Sequence, residues 1–386
     1  MRNIEKGKHT IMVYLDYNAT TPVDETVLQA MLPFLKQEFG NPSNRYPIGN
    51  TAKQAVEKGR QQVAALLNAK AQEITFTASG SESNNTVLKG VAYSYKNKGK
   101  HIITSEIEHP AILEPLAFLE KNGYEVTYVP VDEKGAVNPI DVKDAIRKDT
   151  VLVTIMHSNN EVGTLQPIEE IAEICQKENV FFHTDASQSV GKVAIDLEKT
   201  KIDFLTVAGH KLYAPKGIGA LFIREGIKIE PLIHGASQEN GQRASTENVP
   251  YIAALGQAAV QAAHHLPNND LKDIRDYFYE QLKKEFKDNI HLNGAPTNRL
   301  PNTLNISFIG YNGAKILEDI PDIWAATGSA CHTTSTVISP VLKAMGVDEK
   351  VALGAIRFSV GRYTTKEEID ETVALLKAYF DRDLFK

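Results

Sequence analysis

Between residues 74 and 223 the chain alternates short apolar runs rich in β-branched residues with amphipathic stretches of helical period. This alternation is the strongest constraint on the fold. The runs Ile74–Thr77, His101–Ser105, 126–131, 151–157, 180–185, Phe204–Ala208 and Gly219–Ile223 read as strands. Between most of them lie helical patterns such as "PIEEIAEICQKENV", which sets Ile168, Ile171, Ile174 and Cys175 on one face. Strand–helix–strand repetition predicts an α/β layered fold with a mostly parallel sheet flanked by helices. From about Asn248 the pattern changes. A long helical region over 251–286 is followed by "NTLNISFIG", a loop and two helical segments, which predicts a smaller α+β unit. No linker separates the two, so a rigid cleft between them is expected.

The bulk properties bound the function. Of 386 residues, 42% are hydrophobic and 23% charged, the balance of an ordinary soluble globular protein, and the net charge of −6 carries no basic stripe suited to nucleic acid. No apolar run is long enough to span a bilayer, and the start lacks the apolar segment of a secretory signal. The two cysteines, Cys175 and Cys331, form no disulfide framework and no zinc-type pair, so no metal is expected and a cytoplasmic setting fits best.

In sheets of this kind ligands sit beyond the carboxyl ends of the strands. After 74–77 comes "ASGSESNNTVLKG", where Gly80 and Ser81 open a helix whose N-terminus suits an anion; a ligand-free serine cap reads the same way. After 101–105 comes "EIEHPAIL", with His109 just ahead of a helix-starting Pro110. "SNNEVGTLQPI" places Asn160 at a strand end, as a turn former or as a donor to a bound ring or carboxylate. "FFHTDASQSVGK" ends an apolar strand on Asp185, which caps a helix or meets a cation, with Gln188 within reach of the same ligand. "AGHK" then sets His210 and Lys211 after a strand, where a desolvated lysine becomes a usable amine nucleophile. A phosphate loop, an acid and a lysine, each at a strand's carboxyl end, are the three handles that pyridoxal 5'-phosphate (PLP) requires. Cys331, in the small-residue stretch "GSACHTT", is a candidate nucleophile, whereas Cys175 reads as inert core. Arg357 in "AIRFSVGR" is suited to bidentate grip on a carboxylate.

These motifs together resemble the cysteine desulfurases, NifS/IscS-like PLP enzymes of fold type I within the class-V aminotransferase family. The likeness runs in order through "YLDYNATTPVDETV", "FGNPSN", "TASGSESNN", "EIEHPAI", "HSNNEVGTLQPI", "HTDASQSVGK", "AGHKLYAPKGIGALFIR", "GQRASTENVP", "LPNTLNISF", "GSACHTT" and "IRFSVGR". The resemblance implies that Lys211 forms the Schiff base with PLP, that Asp185 pairs with the pyridine nitrogen and that Gln188 reaches the ring oxygen. It implies that His109 stacks on the ring and relays protons, and that Gly80, Ser81 and His210 hold the phosphate. Asn160 and Arg357 would hold the substrate carboxylate. Cys331 would take sulfur from L-cysteine as a persulfide, leaving L-alanine. Thr246 would reach the phosphate of the neighbouring subunit, implying a homodimer. A protein sulfur acceptor is implied, in iron–sulfur assembly, tRNA thiolation or DNA phosphorothioation, with no direct nucleic-acid or membrane partner. A large PLP-binding domain is expected over residues 16–255, with a small domain from 1–15 and 256–386 carrying the cysteine loop. Two departures stand out. Ala208 replaces a serine common before Gly-His-Lys, which predicts slightly weaker cofactor retention. Tyr46, "DYNATTP", "ACH" and "SPVL" are similar to selenocysteine lyases, which leaves L-selenocysteine as an alternative substrate.

Overall fold

A computed structural model describes residues 12–268, 270–328 and 338–383. Its largest sheet has seven strands in the order Ile74–Thr77, Gly219–Ile223, Phe204–Ala208, Phe181–Asp185, Thr150–Thr154, His101–Ser105 and Glu125–Val129. The last five pair in parallel, while Gly219–Ile223 runs antiparallel to both of its neighbours. Six strands therefore share one direction and deliver their carboxyl ends to one edge. Most of the strands are buried along their whole length, because helices cover both faces; hence the continuous apolar runs rather than alternation.

The expected strands all form, with edge corrections that have local causes. The strand expected over 126–131 stops at Val129 because Pro130 has no N–H for the ladder. The strand expected over 151–157 stops at Thr154, which frees Met156–Asn160 to turn into the site. The long helix expected over 251–286 is two helices, Val249–His265 and Asp270–Phe286, broken at Pro267.

Helices Glu25–Lys36 and Pro47–Leu66 pack on Val249–His265. The crossing of the last two is close: a Cβ on Gly256 would stand 2.6 Å from Gly59 Cα, so only glycine fits. Val249–His265 runs unbroken past residue 255, and its Ala258, Ala259 and Ala262 sit in the core of the large sheet. A second core gathers Val13 and Leu15 with residues from Phe278 to Leu376. It lies under a three-stranded antiparallel sheet, Ala355–Ser359, Thr303–Phe308 and Ile290–Asn293. The chain start joins this part of the molecule, since Val13–Tyr14 pairs in parallel with Ile323–Trp324. Among the described residues, no helix is long and apolar enough to cross a membrane.

Candidate active site

The shared carboxyl edge of the large sheet opens into a cavity of about 410 Å³. Gly80, Ser81, His109, Asn160, Asp185, Gln188, His210, Lys211 and Arg357, named from widely separated motifs, all line it. Thr246 stands exposed and outside that lining, and Cys331 lies outside the described residues.

Each segment is set by its own local chemistry. Ser79 Oγ accepts the Glu82 N–H at 3.1 Å and so caps the helix Gly80–Ser94. The start of that helix lies tight against the turn after Phe181–Asp185: a Cβ on Gly80 would stand 3.0 Å from Ser187 Oγ and 3.3 Å from Ala208 Cβ. His109 caps Pro110–Lys121 by accepting the Ala111 N–H on Nδ1 at 3.0 Å, which turns its ring toward the cavity. Both the capping readings and the site placement are therefore realised by the same residues.

Asp185 is buried and held on both oxygens. Oδ1 accepts from Ser187 N at 2.9 Å and Oδ2 from Asn84 Nδ2 at 2.7 Å. Lys211 ends the strand-and-turn Phe204–Lys211, and its Nζ donates to the carbonyls of Asn18 and, at 2.8 Å, Ala19. Burial lowers its amine to about 8, and the Arg357 charge adds to this while Asp16 and Asp185 oppose it. His210 is lowered to about 4, first by burial and then by Lys211, Lys216 and Lys192. The surrounding protein also lowers the His109 imidazole, with Asp185 opposing and Lys211 adding to the shift.

Arg357 enters from the second sheet, on the strand Ala355–Ser359. Its Nη1 donates to Asn160 O at 3.1 Å and its Nη2 to Asp16 Oδ1 at 2.7 Å. Asn18 bridges the two halves of the molecule. It donates through its N–H to Ser359 Oγ at 2.9 Å and through Nδ2 to Thr303 Oγ1 at 2.8 Å. Its carbonyl accepts from Gln188 Nε2 at 2.9 Å as well as from Lys211.

Asn18, Asn84 and Asp16 were not picked out individually from sequence, although each falls inside a quoted motif. Glu108 was missed as well. Its Oε1 accepts from Ser105 Oγ at 2.6 Å and Met156 N at 2.9 Å, and burial raises its carboxyl to about 8. A helix-position rule would have flagged Asn84, four residues after Gly80 and one turn into the same helix.

The cavity suits PLP on its own evidence. Among the described residues Asn84 Oδ1 and Arg357 Nε are buried without partners, and both residues face it. An amine lowered by burial and a held carboxylate both line a space large enough for a pyridine ring.

The family comparison agrees. Residues 13–372 match the family model described as aminotransferase class-V. The chain belongs to the class-V aminotransferase family. It is 48% identical to a cysteine desulfurase IscS from Dictyoglomus turgidum, over 96% of this chain and 95% of that protein. Among solved structures it is similar to a NifS-like protein, with a TM-score of 0.90 and 38% identity over 96% of this chain and 99% of that one. It is also similar to SspA in complex with cysteine, with a TM-score of 0.81 and 37% identity over 92% of this chain and all (100%) of that one. The parallel sheet flanked by helices is thus the fold-type-I arrangement, and the cofactor of this class-V desulfurase branch is PLP.

Proposed function

We propose that this family member is a cysteine desulfurase that converts L-cysteine to L-alanine and passes the sulfur to Cys331. The observation that carries the proposal is the meeting of Lys211, Asp185 and Arg357 in one cavity, from three separate stretches of chain. The desulfurase relative and the cysteine-bound neighbour support the choice of substrate.

In this reading Lys211 would hold PLP covalently, Asp185 would pair with the ring nitrogen, Gln188 with the ring oxygen, and Gly80, Ser81 and His210 with the phosphate. PLP supplies an electron sink for the carbon that carries the substrate amine. The chain's own groups do the rest. Arg357 takes the substrate carboxylate with its guanidinium fork, assisted by Asn160. Lys211, with an amine near 8, gives up and recovers a proton close to neutral pH. His109 serves as a second proton carrier beside it. The Cys331 thiolate attacks sulfur: the carbon–sulfur bond of cysteine breaks, a sulfur–sulfur bond forms on Cys331, and the carbon takes up a proton to give alanine. Cys331 then delivers the persulfide sulfur to a protein acceptor.

The finer readings go with this one. The working unit is a cytoplasmic homodimer in which the exposed Thr246 reaches the neighbouring subunit's phosphate. The small domain, formed around the second core, carries the Cys331 segment.

The direct test is Cys331→Ser. It keeps the cofactor's visible absorbance and loses persulfide formation and sulfide release from L-cysteine. Undiminished persulfide-dependent transfer in that variant would overturn the role of Cys331. Undiminished release from L-selenocysteine alone would instead move the substrate assignment to the selenium compound.

A further inference from the structure

Lys211 lies between two cavities. Besides the one described, a second of about 450 Å³ opens between the two cores, and Lys211, Lys192, Tyr213 and Arg362 line it. None of the groups placed on the cofactor phosphate, Gly80, Ser81 and His210, reaches this space.

Its inner wall carries two basic side chains, Lys192 and Arg362. Among the described residues, neither Lys192 nor Arg362 has a carboxylate within 4 Å. Lys192 Nζ donates to one neutral group, Gln188 Oε1, at 3.1 Å. The charges acting on it, from Lys211, Arg357 and Arg362, are all positive, and with burial as the largest cause they lower its amine to about 7. Arg362 lies over the Tyr213 ring, 4.3 Å from its centroid, and its buried Nη1 has no hydrogen-bond partner among the described residues. Asp24 acts on Arg362 from a distance, but its oxygens are taken by Thr26 and by Tyr363 Oη at 2.9 Å. Among the described lining residues, the carboxylates are the exposed Asp270 and Asp273, with the exposed Lys272 and Lys366 also in the lining.

Partly burying basic groups without a counter-charge is costly, which is why the Lys192 amine is lowered, and an anion bound there would restore its proton. A guanidinium with a free N–H beside an ammonium is a ready fork for tetrahedral oxygens. Among the described residues, no carboxylate pairs with this wall. We propose that this second cavity is a binding site for a compact phosphate-class oxyanion, held by Arg362 and Lys192. The site also touches the reaction centre, because Lys192 binds Gln188, and Gln188 shares the Asn18 carbonyl with Lys211.

The test is calorimetric titration of the PLP-loaded protein with inorganic phosphate, with ionic strength held constant by chloride. Saturable binding at about one phosphate per chain is expected. Lys192→Met and Arg362→Lys, each with a native melting transition and cofactor absorbance, weaken it at least ~10-fold; this corresponds to about 1.4 kcal/mol or more. Arg357→Lys, which changes only the first cavity, leaves phosphate affinity unchanged, as does Lys272→Ala at the mouth. Heat that follows ionic strength without saturating overturns the proposal. So does binding that survives Lys192→Met, or binding lost in Arg357→Lys, which would place the phosphate in the first cavity. Should Arg362→Lys fail to fold, Lys192→Met with rescue by Lys192→Arg decides the matter.

Discussion

Asn84 and Asp185, 101 residues apart in the chain, are joined by a 2.7 Å hydrogen bond from the amide Nδ2 to the carboxylate Oδ2. With Ser187 N on the other oxygen, the Asp185 carboxyl is fixed in orientation at the cavity wall. The Asn84 side chain has a second role open to it, since its buried Oδ1 has no partner among the described residues. Removing one partner of a buried charge-assisted bond costs about 1.5–3 kcal/mol. Asn84→Ala is therefore expected to weaken PLP retention by roughly tenfold or more. Equilibrium dialysis followed by absorbance of the retained cofactor measures this. The loss should exceed that of Ser187→Ala, whose backbone N–H still reaches Asp185.

The lowered amine of Lys211 sets a pH dependence. A lysine near 10.5 would be almost wholly charged at neutral pH, whereas one near 8 releases its proton within the physiological range. The rate at which the cofactor-free protein captures PLP should rise with pH through about 8. Arg357→Leu removes the second cause of the shift, so the midpoint should move upward. Stopped-flow absorbance across pH 6–10 follows both, and an unmoved midpoint would remove Arg357 from the account.

Glu108 makes a separate claim on stability. Its folded carboxyl is raised to about 8 against an ordinary 4.5. Between those values the folded protein binds the proton that the unfolded chain has released, so stability falls as pH rises from about 4.5 to about 8. Glu108→Gln keeps the acceptor for Ser105 and Met156 and removes the titration. The melting temperature of the variant should fall less than that of the parent between pH 5 and 9. The gain at the alkaline end is expected to reach a few kcal/mol at most.

Arg60 and Glu239 hold the segment before Thr246 to the sheet. Arg60 Nη1 and Nη2 meet Glu239 Oε2 and Oε1 at 2.6 and 2.9 Å. Glu239 Oε2 also accepts from Phe76 N at 2.9 Å, on the strand that leads into the Gly80 turn. Both side chains are buried, so breaking the pair leaves an uncompensated charge. Arg60→Met or Glu239→Gln alone should cost about 3–5 kcal/mol. The double variant should lose less than the sum of the two, as a denaturant double-mutant cycle would show.

Ala208 offers the mildest change. It is buried at the cavity wall, next to the start of helix Gly80–Ser94. Ala208→Ser adds a hydroxyl there, and one added hydrogen bond is worth about 0.5–1.5 kcal/mol. Slower cofactor loss, by roughly two- to tenfold, is expected in dilution experiments; unchanged loss would mean that the hydroxyl points elsewhere.

The sequence by itself determined the layered α/β plan. Strands buried on both faces must be apolar along their whole length, and covering helices must carry a 3.6-residue stripe; both signals are local. It also supplied the residues after each strand, because parallel strands bring their carboxyl ends together whatever their order. Tertiary structure decided what links distant segments. The reversed direction of Gly219–Ile223, the break at Pro267, and the meeting of Asn18 with Gln188 and Lys211 depend on packing between elements. So do the pairing of Asn84 with Asp185 and the shifted proton affinities of Lys211, Glu108 and Lys192, since desolvation exists only once the chain has closed around the group.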